Sequence, residues 1–409
     1  TRRSSDLIIS NHRTDAICRL LAVMGRIDIV EDEWVSNAVS GLGRKERHTS
    51  LQECWPLAVQ ALCSVRYKGD LWTQLLEDVQ ISLKQDFWIT LQDRTNILRS
   101  FAGNIDNLRP RLISIDVLEL VLKVFDSTAV SQLSYSAIQD LMTAVISMKY
   151  SDRSLVNVTC NRLLEDVREK DFKDKDVINS VASALDLSFQ FNQNHELSAE
   201  VSRHLRILHE TTVKDPFFLL SPYLTTDLLL NFMKLSAVSN QLDGDVFGVC
   251  LDLVISLQKQ GLTFLKDDLA QIYPCFLHMQ QLHFRPRTDA QSRLLHQAMN
   301  AFEDAEKYET APDDAERIQS AMEMINSDSV HQLKRDCILE DVKMRVDILD
   351  EIQNSVLLFS RPGIHLDFHG NHEMGDLLLK RSILENHGYK VIQIVSAFNR
   401  VSHYSLFVR

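Results

Sequence analysis

The feature that most constrains this chain is a set of ten-residue apolar segments recurring at near-constant spacing. They are Asp15–Met24, Pro56–Val65, Asn96–Ile105, Gln139–Met148, Ile178–Leu187, Thr226–Leu235 and Ala270–Met279. Each carries apolar or small residues at helical spacing and ends on an apolar residue before a polar break. Successive end points lie 41, 40, 43, 39, 48 and 44 residues apart. A second amphipathic segment follows most copies, as Leu155–Val167 does. A period of this size predicts an α-solenoid, in which stacked helix pairs bury faces that no single pair buries alone. Composition agrees. Glycine occurs 12 times in 409 residues, against about 7% in an average chain, which is sparse for strands and tight turns.

Breaks in the pattern give the organisation. Asp215-Pro216 and Ser221-Pro222 interrupt it between copies, and Arg285-Pro286-Arg287 follows the last one. The stretch from Glu303 to Glu316 is acidic and holds Pro312. The expected plan is a helical repeat array over 1–300, an acidic linker or helices over 301–341, and a distinct C-terminal domain over 342–409. In that domain Arg345–Leu349, Val356–Phe359 and Gly363–Gly370 read as β-strands, bounded by turn residues. Asp376 to Gly388 reads as a helix with an acid at its start and glycine just past its end. Tyr389–Val395 reads as a further strand.

Charge and motifs narrow the function classes. The net charge is -12, which excludes a surface that coats nucleic acid throughout and leaves room for a local basic groove. The seven cysteines are scattered and never spaced C-x-x-C, so they read as buried thiols of a reducing compartment. No apolar run reaches the roughly 18 residues of a membrane span. The chain begins at Thr1, so nothing follows from the absence of a targeting segment. Phosphate-binding glycine loops, H-E-x-x-H and G-x-S-x-G are all absent.

A stacked array offers one helix per repeat to a continuous face, along which single-stranded RNA or a peptide can lie. The cations available for RNA include Arg44, Lys45, Arg47, Arg66, Lys68, Arg109, Arg111, Arg203, Arg206, Arg285 and Arg287. The ordinary reading of most of them is solvated surface charge.

The C-terminal residues carry a family resemblance. Val346-Asp347-Ile348, Ile364-His-Leu-Asp-Phe-His-Gly370, Leu379-Lys380-Arg381 and Gly388-Tyr-Lys-Val391 follow one another as in a RAP domain. The family pattern is a V-D-I-like strand, an acidic-x-Asp-Gly strand end, a helix bearing L-K-R, and G-W/Y-x-V opening the next strand. The resemblance covers about the last sixth of the chain. It implies a small α/β restriction-endonuclease-like fold at the end of a mostly α chain. Such domains follow helical repeats in FAST-kinase-like, octotricopeptide and heptatricopeptide proteins of organellar RNA metabolism.

A nuclease-like fold raises the question of catalysis. Mg²⁺-dependent cleavage needs two or three carboxylates and a lysine that positions the attacking water. Asp347 and Asp367 match the family's acidic positions. His365 stands where the family often has an acid, and imidazole is a poor ligand for Mg²⁺. No lysine lies two residues after a metal-binding acid. Asp347, His365 and Asp367 are therefore expected to be vestigial, with no catalytic residue and no cofactor. On a strand, His365, Asp367 and His369 would share one face, with His372 and Glu373 close by, a pattern open to zinc or iron. A histidine-rich strand end without metal is the plainer reading, and no metal is expected.

Lys380 and Arg381, with Arg361, Lys390 and Arg400, are the expected RNA-contacting residues. From Arg361 onward six Lys/Arg face four Asp/Glu. The expectation is a non-catalytic organellar RNA-binding or scaffold protein of the mitochondrial matrix, with the plastid as the alternative. Its setting would be a large ribonucleoprotein such as the mitochondrial ribosome, or its assembly or RNA-processing machinery. Its partners would be rRNA or mRNA and other proteins of that complex. A pure protein-interaction scaffold and a Mg²⁺-dependent RNA endonuclease stand as the alternatives.

Overall fold

The computed structural model describes residues 14–26, 32–42, 48–84, 89–170, 172, 174–192, 196–239, 243–307, 318–319, 322–323, 332–360, 365–368, 372–396 and 406–408. Among them are seventeen α-helices and five β-strands, the strands all near the C-terminus. The chain is mostly helical with a small terminal sheet. It divides into two compact units, 1–148 and 149–409.

The first unit holds helices α1 (Thr14–Arg26), α2 (Asp32–Leu42), α3 (His48–Ser64), α4 (Leu71–Lys84), α5 (Leu91–Ala102), α6 (Ile105–Ile115), α7 (Val117–Leu122), α8 (Ser127–Gln132) and α9 (Tyr135–Met148). The four repeated segments of this unit map onto α1, α3, α5 and α9, with Pro56–Val65 ending one residue beyond α3 and Asn96–Ile105 running past α5 to the first residue of α6. These helices pack in series, α1 on α3, α3 on α5, and α5 on α9. Their apolar stripes, including Leu21, Leu62, Phe101 and Leu141, are fully buried. Asn104 donates to the Cys63 carbonyl at 3.1 Å, joining successive pairs.

The second unit repeats the arrangement with α10 (Arg153–Lys170), α11 (Lys175–Phe191), α12 (Glu196–Lys214), α13 (Thr226–Val238), α14 (Gly244–Lys259), α15 (Lys266–Gln281) and α16 (Asp289–Glu306). The remaining three repeated segments lie in α11, α13 and α15, which pack in series as one layer. The alternating helices α10, α12, α14 and α16 pack in series as the other. The sequence dictates the helix starts. Asp174, Thr225, Asp243 and Thr288 are N-caps whose side chains accept backbone N–H bonds of the first turn, each worth about 1 kcal/mol. Between layers and repeats, polar groups pair inside the core: Ser198 with Ser236 at 2.9 Å, and Asn231 with the Ala182 carbonyl at 3.1 Å.

The sheet has strand order β1 (Leu333–Ile338), β2 (Arg345–Asp350), β3 (Ser355–Ser360), β4 (Lys390–Ser396), β5 (Leu406–Val408). Its pairs are antiparallel except β3 with β4, which are parallel and joined through helix α17 (Gly375–Asn386). A parallel pair requires such a crossover. Every residue of β3 is buried. Leu357 and Phe359 face a cluster with Ile318, Ile348 and Ile394; Val356 and Leu358 alternate to the opposite face. Helix α17 stops at a glycine in the left-handed region (Gly388, φ 87°), where Tyr389 N–H donates to Leu384 and Gly388 N–H to Glu385. That is the bond pattern of a glycine C-cap.

Two expectations need correction. Residues 363–370 do not form a strand in the part described. Residues 365–368 are turn and loop with one isolated bridge, Leu366 to Glu373. The segment folds back on itself, Asp367 N–H donating to His372 O at 2.8 Å and Met374 N–H to His365 O at 3.0 Å. Conversely β1 was unforeseen, because Lys334, Arg335 and Asp336 interrupt its apolar pattern. Such charges suit a strand at the sheet edge.

Candidate nucleic-acid interface

Helix α17 fixes the sheet to the second unit's helices, packing on α11, α13 and α15. Gly375 at its start abuts the backbone at the end of α11, where any Cβ would overlap the Phe189 carbonyl. Next to it, Gln190 Nε2 reaches Asp186 at 3.3 Å and Asp376 at 3.4 Å. Burial raises the pKa of the Asp186 carboxyl, opposed by the cation of Lys234 and the Gln190 hydrogen bond. Lys234 lies 5.0 Å from the centre of the Phe189 ring. At the other end of the helix Gln281 pairs with His387 at 2.9 Å. The loop before α17 is tied in the same way: Phe368 N–H donates to the Lys149 carbonyl at 2.6 Å, and its ring lies 5.6 Å from that of Tyr150. The layer formed by α11, α13 and α15 is thus the one that carries the sheet module, which leaves α10, α12, α14 and α16 as the opposite layer.

The acidic positions are structurally engaged. Asp347 accepts the Phe359 N–H at 2.7 Å, filling a bond that the β2–β3 ladder does not make at that point. Asp367 is 2% exposed. Among the described residues no three His, Cys, Asp or Glu side chains are grouped to hold a metal. His369 lies outside the described residues.

Of the expected cations, Arg361 and Arg400 lie outside the described residues. Arg381 is held by two carboxylates, Glu373 at 3.0 Å and Glu385 at 2.8 Å. Lys380 is partly exposed and Lys390 exposed, and neither side chain has an ion pair among the described residues. In the helical layers several arginines are held by groups of their own or a neighbouring element. Arg168 and Arg203 share Glu200 at 3.2 and 2.9 Å, Arg206 faces Asp243 at 3.6 Å, and Arg287 pairs with Asp245. Arg111 donates to the Lys68 carbonyl at 3.3 Å. Arg66, Lys68 and Arg285 are exposed, and their side chains have no ion pair among the described residues. Arg44, Lys45 and Arg47 lie outside them.

One feature escaped sequence reasoning. A cleft of about 410 Å³ opens on α12, floored by Val167, Leu208 and two ring pairs. Phe172 stacks on His204 at 4.1 Å, and Phe218 on Tyr223 at 5.4 Å. Glu200 and Arg203 stand on its rim. Beside it Phe217 is 91% exposed. Its signal in the sequence was the pair of prolines, Pro216 and Pro222, bracketing Phe217, Phe218 and Leu219. No helix of the described residues is long and apolar enough to cross a membrane. No protein-family model and no curated protein matches the chain.

Proposed function

We propose that the chain is a non-catalytic, RNA-associated scaffold: an α-solenoid carrying a RAP-like module, held within an organellar ribonucleoprotein. The mitochondrial ribosome, its assembly intermediates or the RNA-processing machinery is the proposed setting, with a plastid counterpart as the alternative. The observation that carries the non-catalytic reading is the bond from Phe359 N–H to Asp347. One oxygen of that carboxylate serves a neighbouring strand's backbone, which gives the aspartate a structural role that needs no metal. The RNA reading rests on the sequence resemblance and on Lys380 and Lys390, cations without carboxylate partners among the described residues. A net charge of -12 suits a protein that meets phosphate over a limited patch and protein elsewhere, because RNA affinity depends on phosphate neutralisation. A pure protein-interaction scaffold is the second reading, favoured by the exposed Phe217 beside an apolar cleft.

Ultraviolet crosslinking in intact organelles tests the proposal. RNA adducts on the C-terminal module and the helical layers are expected, and their complete absence rejects the RNA reading. Incubation of purified protein with RNA and Mg²⁺ tests the non-catalytic part. Cleavage that disappears in Asp367→Ala would establish a nuclease instead.

A further inference from the structure

The outward face of α12 has an internal symmetry. Ile207, 54% exposed, lies at its centre. His204 and Glu210 stand three residues either side of it, and Glu200 and Lys214 seven residues either side. Residues 200, 203, 204, 207, 210, 211 and 214 follow helical spacing on one stripe, while Leu197, Val201, Leu205 and Leu208 face the core. If two such helices cross antiparallel with Ile207 on the axis, Glu200 of each meets Lys214 of the other, and His204 meets Glu210. Every cross-axis charged pair in this arrangement is of opposite sign or involves a titratable imidazole. Glu210 and Lys214 lie 3.8 Å apart with side chains 69% and 78% exposed, a solvated pair that can exchange for the crossed ones, while Glu200, 20% exposed, would add Lys214 of the second copy to its pairs with Arg168 and Arg203.

The same patch holds a projection and a recess. Phe217, three residues beyond Lys214, stands out on a tied loop. Asp215 accepts the Phe217 N–H at 3.0 Å. Gln260 grips the loop on both sides, accepting from Leu220 N–H at 2.9 Å and donating to Phe218 O at 2.8 Å. The loop therefore holds a large apolar ring in water by several hydrogen bonds, with Val213 and Leu219 exposed beside it. The antiparallel crossing carries this ring past Lys214 toward the other helix's Glu200 end. There the cleft presents the stacked Phe172 and His204.

We propose that this face is a self-complementary dimer interface, in which Phe217 of each copy fills the α12 cleft of a second copy of the chain. An interface with projection and recess on one patch closes after two subunits and leaves nothing for a third. Exposed aliphatic side chains around the ring favour a protein surface as the occupant over an RNA base, which would call for cations and rings alone. The proposal is independent of RNA binding.

Sedimentation equilibrium of the full chain tests it. A reversible monomer–dimer equilibrium is expected. Phe217→Ala should weaken it at least about thirtyfold, the loss typical of a buried anchor residue, with an unchanged melting curve at concentrations where both proteins are monomeric, because the ring is exposed in the monomer. Thr211→Trp, which fills the recess, should weaken it similarly. Mixing the two variants should yield a heterodimer tighter than either variant's homodimer, because one intact projection then meets one intact recess. A chain that stays monomeric at its highest soluble concentration overturns the proposal. So does a Phe217→Ala dimer as tight as wild type, open-ended oligomers, or a monomer that loses RNA or vesicle binding in Phe217→Ala.

Discussion

A Cβ placed on Gly375 would lie 2.8 Å from the carbonyl carbon of Phe189 and closer still to its oxygen. The first residue of the sheet module's helix thus sits against the backbone end of α11, where no flexible side chain is available to move. Gly375→Ala should lower stability by about 1–3 kcal/mol, the range for overpacking a tight contact. The check is urea unfolding, with limited proteolysis of the segment 332–396 reporting whether the module loosens first. Unaltered stability and protection would show that the docking yields without loss.

Asp186 lies beside that contact with its pKa raised, mainly by burial. A folded-state pKa above the unfolded value means that the folded state binds the proton more tightly. Its contribution favours folding at low pH and fades as the pH rises through the folded pKa. Asp186→Asn keeps an acceptor for Gln190 and removes the buried charge. The variant should be more stable than wild type at neutral pH, with the difference shrinking as the pH drops toward the acidic range. Thermal melts across that range decide it. A less stable variant at pH 7 would mean that the ionised form is held by Lys234 more firmly than burial opposes it.

His278 in α15 is 3% exposed, and neither ring nitrogen has a hydrogen-bond partner among the described residues. Burial lowers its pKa. Here the unfolded chain binds the proton more readily, so full stability holds above the ordinary imidazole pKa and is lost as the pH falls below it. His278→Leu removes the desolvated nitrogens and should stabilise by about 1 kcal/mol or more. It should also flatten the stability profile between pH 7 and 5. A profile identical to wild type would assign the acid sensitivity to other groups.

Lys380 and Arg381 are neighbours on α17 with different roles. Arg381 is tied to Glu373 and Glu385, while Lys380 has no ion pair among the described residues. On the RNA reading, Lys380→Ala should weaken binding across RNA sequences and reduce the slope of log affinity against log salt by about one. Arg381→Ala should act chiefly on stability, within about 1 kcal/mol, since its partners are partly exposed. Filter binding at several salt concentrations separates the two. An unchanged slope in Lys380→Ala removes this lysine from any phosphate contact.

Much of the fold was legible in local pattern. Five of the seven recurring segments lie wholly in helices, while Pro56–Val65 overruns α3 by one residue and Asn96–Ile105 runs past α5 to the start of α6; within each unit the helices that carry them form the layer α1, α3, α5, α9 or α11, α13, α15. Helical spacing of apolar residues encodes which face is buried. Strands β2, β3 and β4 and helix α17 were legible because β-branched runs, an acidic first turn and a terminal glycine are all local signals. Strand β1 was hidden, since its edge position tolerates the charges of Lys334 and Asp336. The segment at His365 was misread as a strand because apolar–polar alternation also occurs in a loop whose backbone bonds lie elsewhere, here with His372, Met374 and Lys149.

By itself the sequence determined the periodic helices, their caps and the crossover helix ending at Gly388, because each depends on residues within one or two turns of one another. Tertiary structure alone decided which charges are occupied. Asp347 answers to Phe359, Arg168 answers to Glu200, and Gly375 answers to Phe189. These pairings join residues remote in sequence or from different elements, so no local pattern specifies them. They arise only when packing brings a donor, an acceptor or a bare backbone to the same place.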